Sequence, residues 1–303
     1  MEFNFVDLKF TIKTANEKIL SHRLPRAAGE YADTCRQLAC RDLSRDCFQC
    51  SLNSSCEWFF VFGQKLSSDP DALRRHQKPS LPFIFSFFQP SDGSQTRTGL
   101  LECRMVVVGQ AIAALEMLLK GLRQLLVRMD KSLNCGLNWV FSCDHQGNSF
   151  PLNNEGRFAD TENLMVMSAE DIFNKCPWDC KNVTIRLLSP LKLFSQGRQL
   201  RHFDFTVFAC SLMRRISSLA YYYCGYEFDG DFKSLSDAAK RVVCVEDQFS
   251  VEKGEDWKTS GVGGYGCFSA NFGGLLPILM FGTHIHVGKN ASFGMGAYSV
   301  EIS

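Results

Sequence analysis

Gly282-Thr283-His284-Ile285-His286-Val287-Gly288-Lys289-Asn290-Ala291-Ser292-Phe293-Gly294-Met295-Gly296 is the stretch around which this 303-residue chain is organised. An apolar run, Leu275 to Phe281, leads into it, and a strand-like segment, Ala297 to Ile302, follows. Glycines 288, 294 and 296 permit positive φ and the close approach of a second backbone. Successive N–H groups in such a loop can converge on phosphate oxygens, and Lys289 sets a positive charge beside them. A plain turn before a last strand fits the same residues. On strand parity, His284 and His286 would face one side.

Working outward, hydrophobic periodicity divides the chain into two similar halves. Phe3 to Thr14 alternates as a first strand, and Pro25 opens a helix to Cys40 whose weak apolar side is Ala27, Ala28, Tyr31, Leu38 and Ala39. Glu57 to Gly63, Leu81 to Phe88 and Leu100 to Val108 read as strands, with loops at Gln64 to Ser80 and Gln89 to Thr98. Gly109 to Met129 has one broad apolar side and is the clearest helix; Leu137 to Cys143 closes the half. Gln146 to Thr161, without periodicity, is the expected boundary between domains 1–150 and 151–303. Val183 to Leu193 is then a strand, Phe205 to Tyr223 a helix, Leu235 to Val245 a shorter helix, and Tyr265 to Ala270 a strand before the C-terminal stretch. Each half thus reads strand, helix, strands, helix, strand. The fold class is α+β, two tandem ferredoxin-like (RRM-like) domains, the first with a cysteine-rich insertion.

Hydrophobic residues make up 45% and net charge is +1, so a sizeable core is expected and no global positive excess announces nucleic acid. The first residues lack a basic, apolar leader, and no apolar stretch is long enough to cross a bilayer; a cytoplasmic protein is expected. The 14 cysteines read accordingly as thiols or metal ligands rather than disulfides. Four of them form Cys40-x6-Cys47-x2-Cys50-x5-Cys56, with Cys35 to spare. The tight Cys47–Cys50 pair can grip one ion from a turn, and two more thiolates complete a tetrahedron. Zinc, an iron–sulfur cluster and free thiols all fit this spacing.

Gly261-Val262-Gly263-Gly264-Tyr265-Gly266, Leu275-Leu276-Pro277, His286-Val287-Gly288-Lys289 and Phe293-Gly294-Met295-Gly296 resemble, in order and spacing, the C-terminal signature of CRISPR repeat-processing endoribonucleases of the RAMP superfamily. Leu212-Met213-Arg214-Arg215-Ile216-Ser217-Ser218-Leu219 looks like that family's double-arginine helix, and Asn182 to Leu193 like the strand before it. Two departures stand out. The superfamily's fuller loop opens with a further glycine where this chain has His286, although some branches carry histidine there. An arginine–glycine pair early in the first helix is replaced by Ala28-Gly29.

The resemblance implies an enzyme that matures guide RNA by metal-independent attack of a ribose 2′-OH, leaving 2′,3′-cyclic phosphate and 5′-OH ends. It implies catalytic histidine or tyrosine around the first helix. His22 is the first candidate and Tyr31 is close by; His286 is the second histidine candidate, since a histidine near neutral pKa suits acid or base work. Arg23 and Arg26, the pair Arg214 and Arg215, and Gly288, Lys289, Gly294 and Gly296 are the expected RNA contacts. For the arginine pair, surface salt bridging is the plainer alternative. Relatives with a similar cysteine insertion favour structural zinc on Cys40, Cys47, Cys50 and Cys56, with no catalytic metal. The implied partners are CRISPR repeat RNA and other effector subunits, with no membrane. A non-catalytic RNA-binding subunit is the alternative from another class; a zinc-stabilised interaction module unrelated to RNA would need the C-terminal match to be chance.

Overall fold

The computed structural model describes residues 3–14, 23, 26–40, 42–75, 78–88, 100–129, 136–154, 157–158, 163–227, 230–252 and 260–303. It divides into two compact units, one of Asn4–Met167 and one of Ser168–Ser303 with the first three residues.

In the N-terminal unit, β1 (Asn4–Lys13) buries Phe5, Val6, Leu8, Phe10 and Ile12. It lies antiparallel between β3 (Leu100–Val108), with Leu8 opposite Met105, and β4 (Gly136–Cys143), with Leu8 opposite Ser142. β2 (Phe83–Phe88) pairs outside β3, and β5 (Ser149–Pro151) outside β4, giving the order β2-β3-β1-β4-β5. Helix α1 (Ala28–Ala39) follows β1. The later helix expected from Gly109 begins as a 3₁₀ turn, Gly109–Ala114, and continues as α4 (Leu115–Met129). Leu118, Leu122, Leu125 and Leu126 of α4 are buried. α1 and α4 approach so closely that a Cβ on Gly121 would overlap the Cys35 sulfur, which accounts for a glycine inside that helix. Buried Asp7 of β1 and half-buried Arg104 of β3 form an ion pair within the sheet.

Two expectations for this unit are corrected. Glu57 to Gly63 is not a strand but helix α2 (Glu57–Phe62). Trp58 and Phe62, one helical turn apart, stack at 5.8 Å, and the Trp58 indole donates to Ala32 O at 2.7 Å. A short aromatic run satisfies either period, and here tertiary packing selects the helix. The segment read as a loop from Gln64 to Ser80 contains α3 (Pro70–Arg75). Pro70 suits a first helical position, and Asp69 Oδ1 accepts from Asp71 N at 2.9 Å. The division between units falls after Met167, beyond the aperiodic Gln146 to Thr161. β5 still extends the first sheet, and Met165 N donates to Ser142 Oγ at 2.9 Å.

The C-terminal unit repeats the plan. Phe3 belongs to it: Phe3 O accepts from Ala169 N of the short helix α5 (Ala169–Phe173), and its ring meets Phe281 edge-on at 4.7 Å. β6 (Asn182–Leu191) sends Val183, Ile185 and Leu187 inward. A small hairpin follows, β7 (Phe194–Ser195) and β8 (Arg198–Gln199). Asp204 accepts from Val207 N at 2.9 Å and opens α6 (Phe205–Leu219), which runs on as a π turn, Ala220–Cys224. Then come α7 (Phe232–Lys240), β9 (Val243–Glu252), β10 (Gly261–Ser269), α8 (Leu276–Ile285) and β11 (Tyr298–Ile302), with sheet order β9-β10-β6-β11. Both sheets therefore place their first strand between their third and fourth, as in the ferredoxin-like unit.

Here the helix expected to run to Val245 ends at Lys240, and β9 takes its place. β9 is an edge strand whose Val243 and Val245 are 61% and 68% exposed, so no buried stripe marks it in the sequence. His284 sits in the last turn of α8, so the strand parity expected for His284 and His286 does not hold. Among the described residues, no helix is long and apolar enough to cross a membrane.

Candidate nucleic-acid interface

The glycine-rich stretch is a self-braced loop between α8 and β11. Within it, Val287 N donates to Gly296 O, Met295 N to Asn290 O, and Gly294 N to Ala291 O. Toward β6, Gly296 N donates to Pro190 O at 3.1 Å, Lys289 N to Lys192 O at 3.0 Å, and Ala297 N to Ser189 Oγ at 2.9 Å. These N–H groups are engaged within the protein and so do not form the phosphate cradle that the sequence suggested. The glycines instead permit the packing: Gly288 has φ +88° with its missing Cβ only 2.6 Å from Lys192 O, and Gly296 has φ +65° against Val287 O. Gly294 has φ +90°. Lys289 is exposed and carries its ammonium 5.7 Å from the centre of the Phe194 ring.

Arg215, expected among the RNA contacts, serves as a brace. It is half-buried, donates from Nε to Ile285 O at 2.9 Å and from Nη2 to Ser292 Oγ at 3.2 Å, and so ties the end of α8 to the loop. Burial pulls its pKa down to about 10, against the opposing effect of Tyr223, and it remains cationic at neutral pH. Arg214, its neighbour on α6, is exposed. Tyr223 is buried, while Tyr221 and Tyr222 meet edge-on at 5.0 Å.

His286 is 2% exposed and takes φ 57°, ψ 178° just after α8. That backbone region is almost reserved for glycine. With its ring interior, His286 is not presented to a substrate in this conformation. Tyr31 is likewise corrected from a catalytic candidate to a core residue. It is 1% exposed, its hydroxyl donates to Leu118 O at 2.9 Å, and Phe62, Phe83 and Phe85 surround its ring edge-on. Burial first, then Cys35, holds its phenol well above the ordinary range. Arg23 and Arg26 are exposed, and Arg23 Nη1 donates to Met129 O at 3.3 Å. His22 lies outside the described residues.

The four cysteines of the insertion bracket a segment built of turns. Cys40 ends α1 and Cys56 precedes α2. Arg36 bonds Leu43 O and Arg45 O and lies 5.5 Å from the centre of the Trp58 ring, which holds the two helix ends together. Burial raises the Cys47 thiol; Arg36 opposes this, and Cys40, Cys56 and Cys50 add to it. Among the described residues, no three His, Cys, Asp or Glu side chains are arranged so as to hold an ion as they stand.

Residues 185–298 match the sequence model of the CRISPR-associated endoribonuclease Cas6 family, and residues 29–131 match that of the AF_1859_N N-terminal domain. The resemblance carried by the C-terminal motifs is thereby borne out. No curated protein matches. Among solved structures, Thermus thermophilus Cas6 is similar at 12% identity and TM-score 0.57, over 99% of this chain and 100% of that one. A Cas6 in a product complex is similar at 14% identity and TM-score 0.56, over 98% and 99%. A partial Cas6-RT-Cas1–Cas2 complex is similar at 12% identity and TM-score 0.56, over 100% of this chain and 46% of that one. These likenesses establish the tandem ferredoxin-like fold across the whole length.

Proposed function

We propose that this chain, whose residues 185–298 carry the Cas6 family pattern, is an endoribonuclease that cuts the repeat of a CRISPR transcript to release guide RNA. The observation that carries this is the match itself, which spans the strand, arginine helix and braced loop of one folded unit. The chemistry proposed is attack of the ribose 2′-OH on the adjacent phosphate, with an acid protonating the departing 5′ oxygen and positive charge steadying the phosphorane. Lys289 supplies charge at the loop surface. His22 supplies the acid or base, since Tyr31 and His286 are interior. The RNA is the primary partner, and other CRISPR effector subunits belong to the same reading. A repeat RNA carrying a single 2′-deoxy substitution at the scissile position should bind nearly as well as its parent and remain uncut. Cutting of that substrate at the same bond would refute this chemistry. His22→Ala should slow cleavage by about 10²–10⁴.

Structural zinc on Cys40, Cys47, Cys50 and Cys56 is part of the proposal. The spacing Cys40-x6-Cys47-x2-Cys50-x5-Cys56 and the soft sulfur donors fit it. Four protein ligands leave no position for substrate, so the ion would stabilise the turns rather than act on RNA. Elemental analysis should find about one zinc per chain, and Cys50→Ser should lower it together with the melting temperature. Protein isolated without bound zinc would overturn the assignment. A second reading, an RNA-binding subunit that does not cut, draws on the burial of Tyr31 and His286. Binding of repeat RNA without any cleavage would establish it.

A further inference from the structure

The hairpin beside the glycine-rich loop joins an exposed ring to a one-sided charge pattern. From Asp179 to Asp204 the chain has no carboxylate between those two residues, and in the segment that follows β6 Arg198 and Arg201 are exposed while Lys192 is buried. Asp204 itself is engaged as the cap of α6. Gln196 (φ 48°) and Gly197 (φ 78°) both take the left-handed conformation, which gives the tight two-residue turn that suits the twist of paired strands. Leu200 N donates to Leu193 O at 2.9 Å and closes the base of the hairpin. The Lys289 N to Lys192 O bond fixes the loop beside it. Phe194 on β7 is 43% exposed although it is a large apolar ring, Lys289 Nζ is 5.7 Å from its centre, and Arg198 on the partner strand is exposed.

We infer that this hairpin is a single-strand RNA platform on which Phe194 stacks a base while Lys289 and Arg198 meet the flanking phosphates. The inference rests on the reading of the chain as an RNA-binding protein, and adds which form of RNA this surface takes. A phenyl face needs an unpaired base, because in a duplex both faces of an internal base are already covered by its neighbours. Stacking on a ring tolerates any base, and cations on either side supply sequence-independent affinity. The hairpin therefore selects unpaired RNA next to the loop without reading its sequence.

The test uses the full chain and two probes at fixed salt, a fluorescein-labelled single-stranded oligoadenylate and a blunt RNA duplex, followed by anisotropy. Phe194→Ala should weaken single-strand binding about 5- to 150-fold, the range of one aromatic stack, and leave duplex binding unchanged. Phe194→Trp should restore single-strand affinity and Phe194→Leu should not, since leucine keeps apolar bulk without a π face. Arg198→Gln should weaken both probes and lower the salt slope by about 1. Unchanged single-strand affinity of Phe194→Ala overturns the platform. So does equal weakening of both probes, or a leucine variant that matches tryptophan. A parent protein that binds neither probe nor repeat RNA overturns the RNA reading as a whole; a parent that cuts repeat RNA while Phe194→Ala binds normally overturns the platform alone.

Discussion

His286 offers a test in which the usual order of alanine and glycine is reversed. Its φ of 57° with ψ of 178° lies where a residue with a Cβ is strained by about 1–3 kcal/mol. The strain is held in place by His286 N on Gly282 O, by Val287 N on Gly296 O and by Arg215 on Ile285 O. His286→Ala removes the buried ring and keeps the strain. His286→Gly removes the same ring and relieves the strain, but gains unfolded-state freedom that costs about 0.4–1 kcal/mol. The glycine variant should therefore be the more stable of the two by about 1 kcal/mol, or about 3 °C in melting temperature for a unit of this size. At an ordinary helix or strand position the sign would be opposite. Thermal unfolding of both variants under identical conditions decides it, and an alanine variant that melts at or above the glycine variant would show that the backbone is not strained. The same pair separates chemistry from geometry. If the imidazole moves a proton, both variants lose cleavage equally; if it only fills space, the glycine variant keeps it.

Three further outcomes follow from the placements above. Tyr31→Phe should leave the cleavage rate unchanged and lower stability by about 1 kcal/mol, one buried hydrogen bond, and a rate loss of a hundredfold would return Tyr31 to the chemistry. Arg215→Lys cannot reproduce two directed bonds to Ile285 O and Ser292 Oγ, so it should lower the melting temperature and RNA affinity while keeping the slope of affinity against salt. Lys289→Gln should do the reverse, leaving the melting temperature unchanged and reducing the salt slope by about 1; an unchanged slope would remove Lys289 from the interface.

The sequence was most legible where one face of an element is buried. β1 and α4 show their period directly, because Leu8, Phe10 and Ile12 of β1 and Leu118, Leu122, Leu125 and Leu126 of α4 are inside. It was least legible where that condition fails. β9 runs along an open edge, and α2 is a short aromatic run of ambiguous period. β10 carries glycines where its neighbours crowd it: Gly264 at φ +107° faces Gln248 O, and Gly263 faces the Glu252 side chain. Those glycines dilute the strand signal before Tyr265, which is why the expected strand begins there and the observed one at Gly261.

The functional residues divide along the same physical line. Arg214 and Arg215 are adjacent, and on a helix adjacent residues point about 100° apart, so one can brace the fold while the other is solvated. Sequence adjacency cannot say which. Tyr31 could have been placed, since it falls on the apolar side of its helix with Ala27, and a hydroxyl on that side is more often satisfied by a carbonyl than offered to a ligand. The hairpin was also within reach: a run without carboxylates from Asp179 to Asp204, interrupted by Gln196-Gly197, carries both the charge signal and the turn signal. What the sequence could not supply is the Lys192–Lys289 backbone bond. That contact spans nearly a hundred residues and brings Phe194 and the glycine-rich loop onto one surface. It makes a turn-forming motif and a basic segment parts of a single proposed RNA site, so a substitution that breaks it without touching either charge should weaken single-strand binding as much as losing the ring itself.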